Sequence, residues 1–159
     1  MGTLKEQYKL VQSSREAVLR YLETISFEDL TKEVESFNKS SIRKMIMHVA
    51  NTYVFWFGNF EPGKKTDYYK DNEVKTAADL RKVLAGVDML VNEFLNRFKD
   101  SLNASVEGNI FWLKKNITET PLSLFTHVIT HEFHHKGQIM SMSRQLGYTP
   151  PDADVIRFS

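Results

Sequence analysis

Apolar positions recur at helical spacing in four stretches of the chain. From about Leu4 to Ile25, the residues Leu4, Tyr8, Val11, Val18, Leu22 and Ile25 are separated by threes, fours and one seven, which lines a single helix face. A second stretch runs from about Ser41 to Gly58. Asn38, Ser40 and Ser41 offer N-caps and Gly58 offers a C-terminal stop. A third runs from about Thr76 to Lys99, with Leu80, Val83, Leu84, Val87, Leu90, Val91, Phe94, Leu95 and Phe98 as a broad apolar stripe. Thr76 and Asp79 resemble a capping box there, with Asp in place of the preferred Glu. The fourth runs from about Pro121 to Leu146, with Thr120 as N-cap, Pro121 at the first helical position and Gly147 closing it.

The connections are of different kinds. Residues 59–75, NFEPGKKTDYYKDNEVK, are polar around a Pro-Gly turn. The segment NASVEGNIFWLKKNITE sets β-branched and aromatic residues around a Gly-Asn pair, which predicts a short hairpin or an extended crossover. The tail GYTPPDADVIRFS is extended at Pro150 and Pro151. With no repeat or low-complexity stretch, the pattern predicts an all-α, four-helix bundle in which residues 1–159 form a single domain.

A chain of 159 residues buries roughly 70% of its unfolded surface and folds without staples. There is no cysteine, so disulfides, thiolate metal ligands and a thiol nucleophile borne by the protein are excluded. Lys and Arg (21) balance Asp and Glu (20) to a net charge of +1, which is no electrostatic footprint for nucleic acid. No apolar run approaches the roughly 18 residues of a membrane span, and MGTLKEQYKL is neither a signal peptide nor an anchor. The expectation is a cytoplasmic protein with no nucleic-acid or membrane partner.

The chemistry concentrates in the stretch HEFHHKGQ, His131 to Gln138. His127, His131 and His135 stand at i, i+4 and i+8 and drift about 40° per step along one stripe of the fourth helix. Imidazoles at i and i+4 can converge to the roughly 3–3.5 Å separation that two nitrogens on one tetrahedral zinc require. His134 points about 100° away from His135. The fifth histidine, His48, lies in the apolar segment IRKMIMHVANTYVFWF of the second helix. A buried neutral imidazole must satisfy a donor and an acceptor, and completing a metal site is one way to do so. Three histidines from two helices therefore form a candidate ligand set, in which spacing alone does not rank His127 against His135.

Read literally, HEFHH is also the H-E-x-x-H of zinc metallopeptidases. The context is wrong for one. Ser141 stands where a third histidine would follow, Gln138 stands at the glycine position, and no histidine follows His135. Metallopeptidase is thus a third and distant reading. Glu132 is nevertheless the one well-placed candidate for a general base.

The stretch HVITHEFHHKGQIMSMSRQLGYTPPDADVI resembles the C-terminal motif of the DinB/YfiT-like superfamily, H-x3-H-[KR]-G-Q-I followed by an R-Q-L-G turn and Pro-Pro-Asp. His131, His135, Lys136, Gly137, Gln138, Arg144, Gln145, Leu146, Gly147, Pro151 and Asp152 all match it, and the segment around His48 resembles the family's first metal-site helix. The resemblance implies a four-helix bundle with an irregular crossover between the third and fourth long helices. It also implies a divalent metal on His48, His131 and His135, with positions open to water or substrate. His127 then becomes a packed neighbour.

Relatives of this kind include thiol-dependent S-transferases and isomerases and amide hydrolases, and many form dimers. The implied cofactors are zinc, nickel or iron, with zinc and nickel ahead, and a low-molecular-weight thiol cosubstrate. The implied partners are a small-molecule substrate and a second copy of the chain. Three neutral imidazoles leave the cation's charge uncompensated, which suits a Lewis acid. The pocket is expected to be lined by Asn51, Thr52 and Trp56 from the second helix, and by Leu124, His127, Gln138 and Met142 from the fourth. Phe55 reads as core, and Lys136 as solvent-facing. The competing class of function is a non-catalytic metal-binding module for stress response or association.

Overall fold

The computed structural model describes residues 2–158. It is mostly helical, with one small two-stranded sheet. The elements are α1 (Thr3–Leu22), α2 (Phe27–Thr31), α3 (Ile42–Tyr53), α4 (Ala77–Arg97), β1 (Val106–Ile110), β2 (Lys115–Glu119) and α5 (Pro121–Gln145). Helix α3 packs on α4 and α5, and α1 packs on the same two, so the four long helices enclose a common core. No helix among the described residues is long and apolar enough to cross a membrane.

Local chemistry sets the ends of these helices. Ser41 caps α3 by accepting the Lys44 N–H at 3.2 Å. Thr76 and Asp79 form the expected capping box on α4: the Asp79 N–H donates to Thr76 Oγ1 at 3.3 Å, and the Thr76 N–H donates to Asp79 Oδ2 at 3.0 Å. Thr120 accepts the Ser123 N–H at 3.1 Å to start α5. At the other end, Gly147 has φ +93°, and the N–H groups of Gly147 and Tyr148 return to the carbonyls of Arg144 and Ser143. That is the Schellman arrangement, and the left-handed φ is the reason glycine stands there.

Two features depart from the periodicity. The short helix α2, capped by Ser26 accepting from the Asp29 N–H, follows α1 directly; five residues are too few for a 3.6-residue period to show. Helix α3 continues past Tyr53 as a π-helical turn, Val54–Asn59, so the helical course does stop beside Gly58, but the i to i+5 bonding shifts the face presented by its aromatic side chains. Phe57 turns into the core and stacks on Phe94, with centroids 3.9 Å apart and planes 11° apart.

The crossover between α4 and α5 contains the antiparallel hairpin β1–β2, in register from Val106 opposite Glu119 to Ile110 opposite Lys115. It is pinned to the end of the π-helical turn: the Asn109 N–H donates to the Phe60 carbonyl at 3.1 Å, and the Phe60 ring packs so closely on Gly108 that a Cβ there would clash with three ring carbons. This docking fixes the hairpin turn, and with it Phe111 and Trp112, beside the C-terminal half of α3.

Candidate metal centre

His131 and His135 face α3 from α5, and His48 faces back across the interface. His131 Nε2 lies 3.1 Å from His48 Nε2 and 3.0 Å from His135 Nε2, and the three ligand atoms lie within 4.8 Å of one another. The two separations from His131 match the roughly 3–3.5 Å between nitrogens that share one tetrahedral cation. His48 is exposed while the other two are partly buried, so the cluster opens toward solvent on the α3 side. His127 shares the α5 stripe, but its ring sits 6.0 Å from that of His131 and edge-on to Trp56, outside the convergence. His134 is turned to solvent.

The donor set suits a cation. Each imidazole nitrogen has one in-plane site, either an N–H or a lone pair, so His131 Nε2 cannot make good hydrogen bonds to both neighbours at once. Three lone pairs aimed at one point need a positive charge between them. Gln138 fixes part of this: its Oε1 accepts from His135 Nδ1 at 2.6 Å, which assigns the proton to Nδ1 and leaves the Nε2 lone pair facing the cluster. Burial, reinforced by mutual repulsion with His135 and His48, pushes His131 from its ordinary 6.5 down to about 3. Burial also lowers His48 and His135. All three are therefore neutral, the form that ligates. His131 Nδ1 is buried with no hydrogen-bond partner in the protein.

A cleft of about 220 Å³ adjoins the cluster, lined by His48, Asn51, Thr52, Phe55, Trp56, Tyr68, Phe111 and Trp112. The expected residues Asn51, Thr52 and Trp56 are among them, and so is Phe55, expected to be simple core. Asn51 is occupied structurally: its amide donates to the Tyr69 carbonyl and its oxygen accepts the Tyr69 N–H, both at 2.9 Å. The Thr52 hydroxyl donates to the His48 carbonyl at 2.8 Å. Gln138 positions His135 and does not line the cleft. Leu124 and Met142, expected as α5 lining, are fully buried core residues. Tyr68, Phe111 and Trp112 escaped the sequence reading because they lie in connections, where aromatic residues carry no periodic signal.

Glu132, the expected general base, is not brought to the imidazoles. One residue on from His131 it points about 100° around the helix, into the core. There it is 9% exposed and fully engaged: Arg15 donates to its two oxygens from Nε at 2.7 Å and Nη2 at 2.8 Å, and the Tyr53 hydroxyl donates at 2.6 Å. Arg15 also pairs with Asp88 at 2.5 Å, and the Tyr8 hydroxyl donates to the same carboxylate at 2.7 Å. Burial raises the Tyr8 and Tyr53 hydroxyls, and the Glu132 carboxylate raises Arg15 against the opposing effect of its own burial. The signal for Arg15 was present in the sequence: it fills the seven-residue gap between Val11 and Val18 in the α1 stripe. Lys136 also departs from expectation. Its Nζ folds under the C-terminal tail, donating to the Ala153 carbonyl at 2.7 Å and to Ser14 Oγ at 3.2 Å, and burial lowers its pKa.

No curated protein shows significant similarity to the chain. The family model described as "DinB family" matches residues 1–159, the whole of the sequence. With that match, the chain belongs to the DinB family.

Proposed function

We propose that the protein is a divalent-metal-dependent enzyme, a four-helix-bundle domain spanning residues 1–159. In this reading His48, His131 and His135 are the metal ligands, zinc or nickel ahead of iron, and the reaction is transfer of a low-molecular-weight thiol to a small substrate. The observation that carries it is the convergence of three neutral imidazoles within 4.8 Å at the mouth of a cleft. A cation held there supplies Lewis acidity at neutral pH, enough to deprotonate a coordinating thiol outright.

The chain's own residues favour thiol transfer over hydrolysis of a small molecule. Water attack gains most from a positioned carboxylate, and Glu132 is bound to Arg15 and Tyr53 instead. No Asp or Glu oxygen joins the imidazole cluster among the described residues. A thiol needs no such base. His135 is held in the ligating tautomer by Gln138, and Thr52 ties its hydroxyl to the His48 carbonyl on the same turn. The same placement of Glu132 argues against a metallopeptidase.

Elemental analysis of untagged protein tests the metal. Alanine at His48, His131 or His135 is expected to abolish binding, and alanine at His127 or His134 to leave it intact. Retention by His131→Ala, or loss in His134→Ala, refutes the ligand set. Activity is tested by metal-dependent conjugation of small thiols to a panel of electrophiles. A non-catalytic module would show a chelator-sensitive melting temperature and no turnover. Sedimentation of the purified protein tests the homodimer that the family resemblance implies.

A further inference from the structure

We propose that the substrate carries an uncharged aromatic ring, and that Phe55, Trp56, Phe111 and Trp112 hold this ring beside His48. The inference rests on the metal reading above and deepens it. The cleft next to the imidazoles is walled by aromatic faces at stacking range. Phe55 is the hub: its centroid lies 4.9 Å from Trp56, 4.8 Å from Trp112 and 5.8 Å from Phe111, all tilted or edge-on. Phe111 and Trp112 meet edge-to-face at 4.9 Å and 90°. A further planar ring extends such a lattice with the offset or T-shaped contacts that aromatic pairs prefer.

Three observations select the class of ligand. First, the non-aromatic polar side chains on the cleft wall, Asn51 and Thr52, are already used. Both ends of the Asn51 amide bind Tyr69 backbone and the Thr52 hydroxyl donates to the His48 carbonyl, so besides His48 the side-chain donors left on the wall are the Tyr68 hydroxyl and the two indole N–H groups, all carried on aromatic rings. Second, no Lys, Arg, Asp or Glu lines the cleft, and a cation on the adjoining imidazoles repels a positively charged ring substituent. Third, the volume of about 220 Å³ lies below the roughly 300–1,000 Å³ of drug-sized sites, which suits one or two rings and not a peptide.

The exposure of the hairpin turn has the same explanation. Phe111 is 62% and Trp112 is 56% exposed, although the hairpin that carries them is already anchored by the Phe60–Gly108 contact. Their exposed faces are free to take a ring at the mouth of the cleft, over the buried Phe55.

The chain's only tryptophans, Trp56 and Trp112, both line this cleft, so intrinsic fluorescence reads it directly. The test titrates metal-loaded protein with benzyl alcohol, cyclohexylmethanol and benzyltrimethylammonium. Benzyl alcohol is expected to change the emission saturably, with the other two at least about tenfold weaker. Trp112→Ala, followed through Trp56, is expected to bind benzyl alcohol about tenfold more weakly with an unchanged melting temperature, and Trp112→Phe to restore most of the loss. Equal binding of cyclohexylmethanol, tighter binding of the ammonium, or an unaffected Trp112→Ala overturns the proposal. So does a Trp112→Ala variant that changes only its sedimentation, which would make the turn a contact for a second copy. His131→Ala separates the two readings: it should lose metal yet bind benzyl alcohol within about twofold. Wild-type protein that binds the ring but no metal refutes the metal centre and leaves the aromatic cleft standing.

Discussion

The Gln138–His135 contact allows a sharp test of how the centre is built. Gln138 Oε1 accepts from His135 Nδ1 at 2.6 Å, and both residues are half-buried on successive turns of α5. Replacing Gln138 by Leu keeps the side-chain size and removes the acceptor. Two effects follow. The imidazole loses a hydrogen bond that strengthens as the cation polarises the ring, about 1 kcal/mol net. The ring also loses its tautomer bias, so that part of the free protein presents an N–H to the metal. Outer partners of metal-bound histidines are worth roughly 10–100-fold in affinity. Because His135 is partly exposed, water can replace the lost acceptor, and the low end, about tenfold, is expected. Zinc affinity measured by competition with a fluorescent chelator reads this directly. Gln138→Glu, which keeps the acceptor and adds charge, should bind as tightly as wild type or more tightly. A Gln138→Leu protein within twofold of wild type, or a Gln138→Glu protein weakened equally, would refute the assigned role.

Other outcomes follow from the same coordinates. Arg15→Met strands the Glu132 carboxylate in the core and should cost about 3–5 kcal/mol in urea unfolding, whereas Arg15→Met combined with Glu132→Leu should recover most of it; a single variant costing under about 1 kcal/mol would contradict the burial. In metal-free protein the fold holds His48, His131 and His135 below their ordinary 6.5, so the unfolded chain takes up protons that the native one refuses. Melting temperature should therefore fall as pH drops below about 6.5 toward the value near 3 of His131, and His131→Gln should flatten that slope. Gly108→Ala drives a methyl into the Phe60 ring and should destabilise by about 1–3 kcal/mol, read by denaturant titration.

Long-range order was legible in the sequence where it rests on periodicity and caps. Thr76–Asp79, Thr120–Pro121 and Gly147 marked the ends of α4 and α5, because capping is a contest among neighbouring backbone groups that nearby residues decide. The histidine trio was legible for a different reason: i, i+4 spacing sets two imidazoles side by side whatever the tertiary structure. The partner on α3 was legible only as a polar residue in an apolar segment, and its distance from α5 depends on helix packing that a linear pattern does not encode. The hairpin's docking was illegible, since it depends on the fit of Phe60 on Gly108, between residues 48 positions apart. For the same reason Phe111 and Trp112 were seen as strand-like aromatics and not as part of a site.

The placement of Glu132 shows why the motif's letters and its chemistry separate here. In H-E-x-x-H the two histidines share a face because i and i+4 differ by about 40°, while the intervening Glu is offset by about 100° and so lies at the edge of that face. What decides its role is which way the helix is rolled against its neighbours. On α5, Arg15 from α1 and Tyr53 from α3 meet the carboxylate inside the bundle and hold it with three hydrogen bonds of 2.6 to 2.8 Å. That roll is the same one that aims His131 and His135 at His48. The buried ion pair and the imidazole cluster are therefore two sides of one orientation of α5. A Glu132 freed to serve as a base would require a rotation that breaks the Nε2 convergence. Under the proposed function, nucleophile activation would therefore fall to a cation on the imidazoles, and the substrate's orientation to the aromatic wall across the cleft.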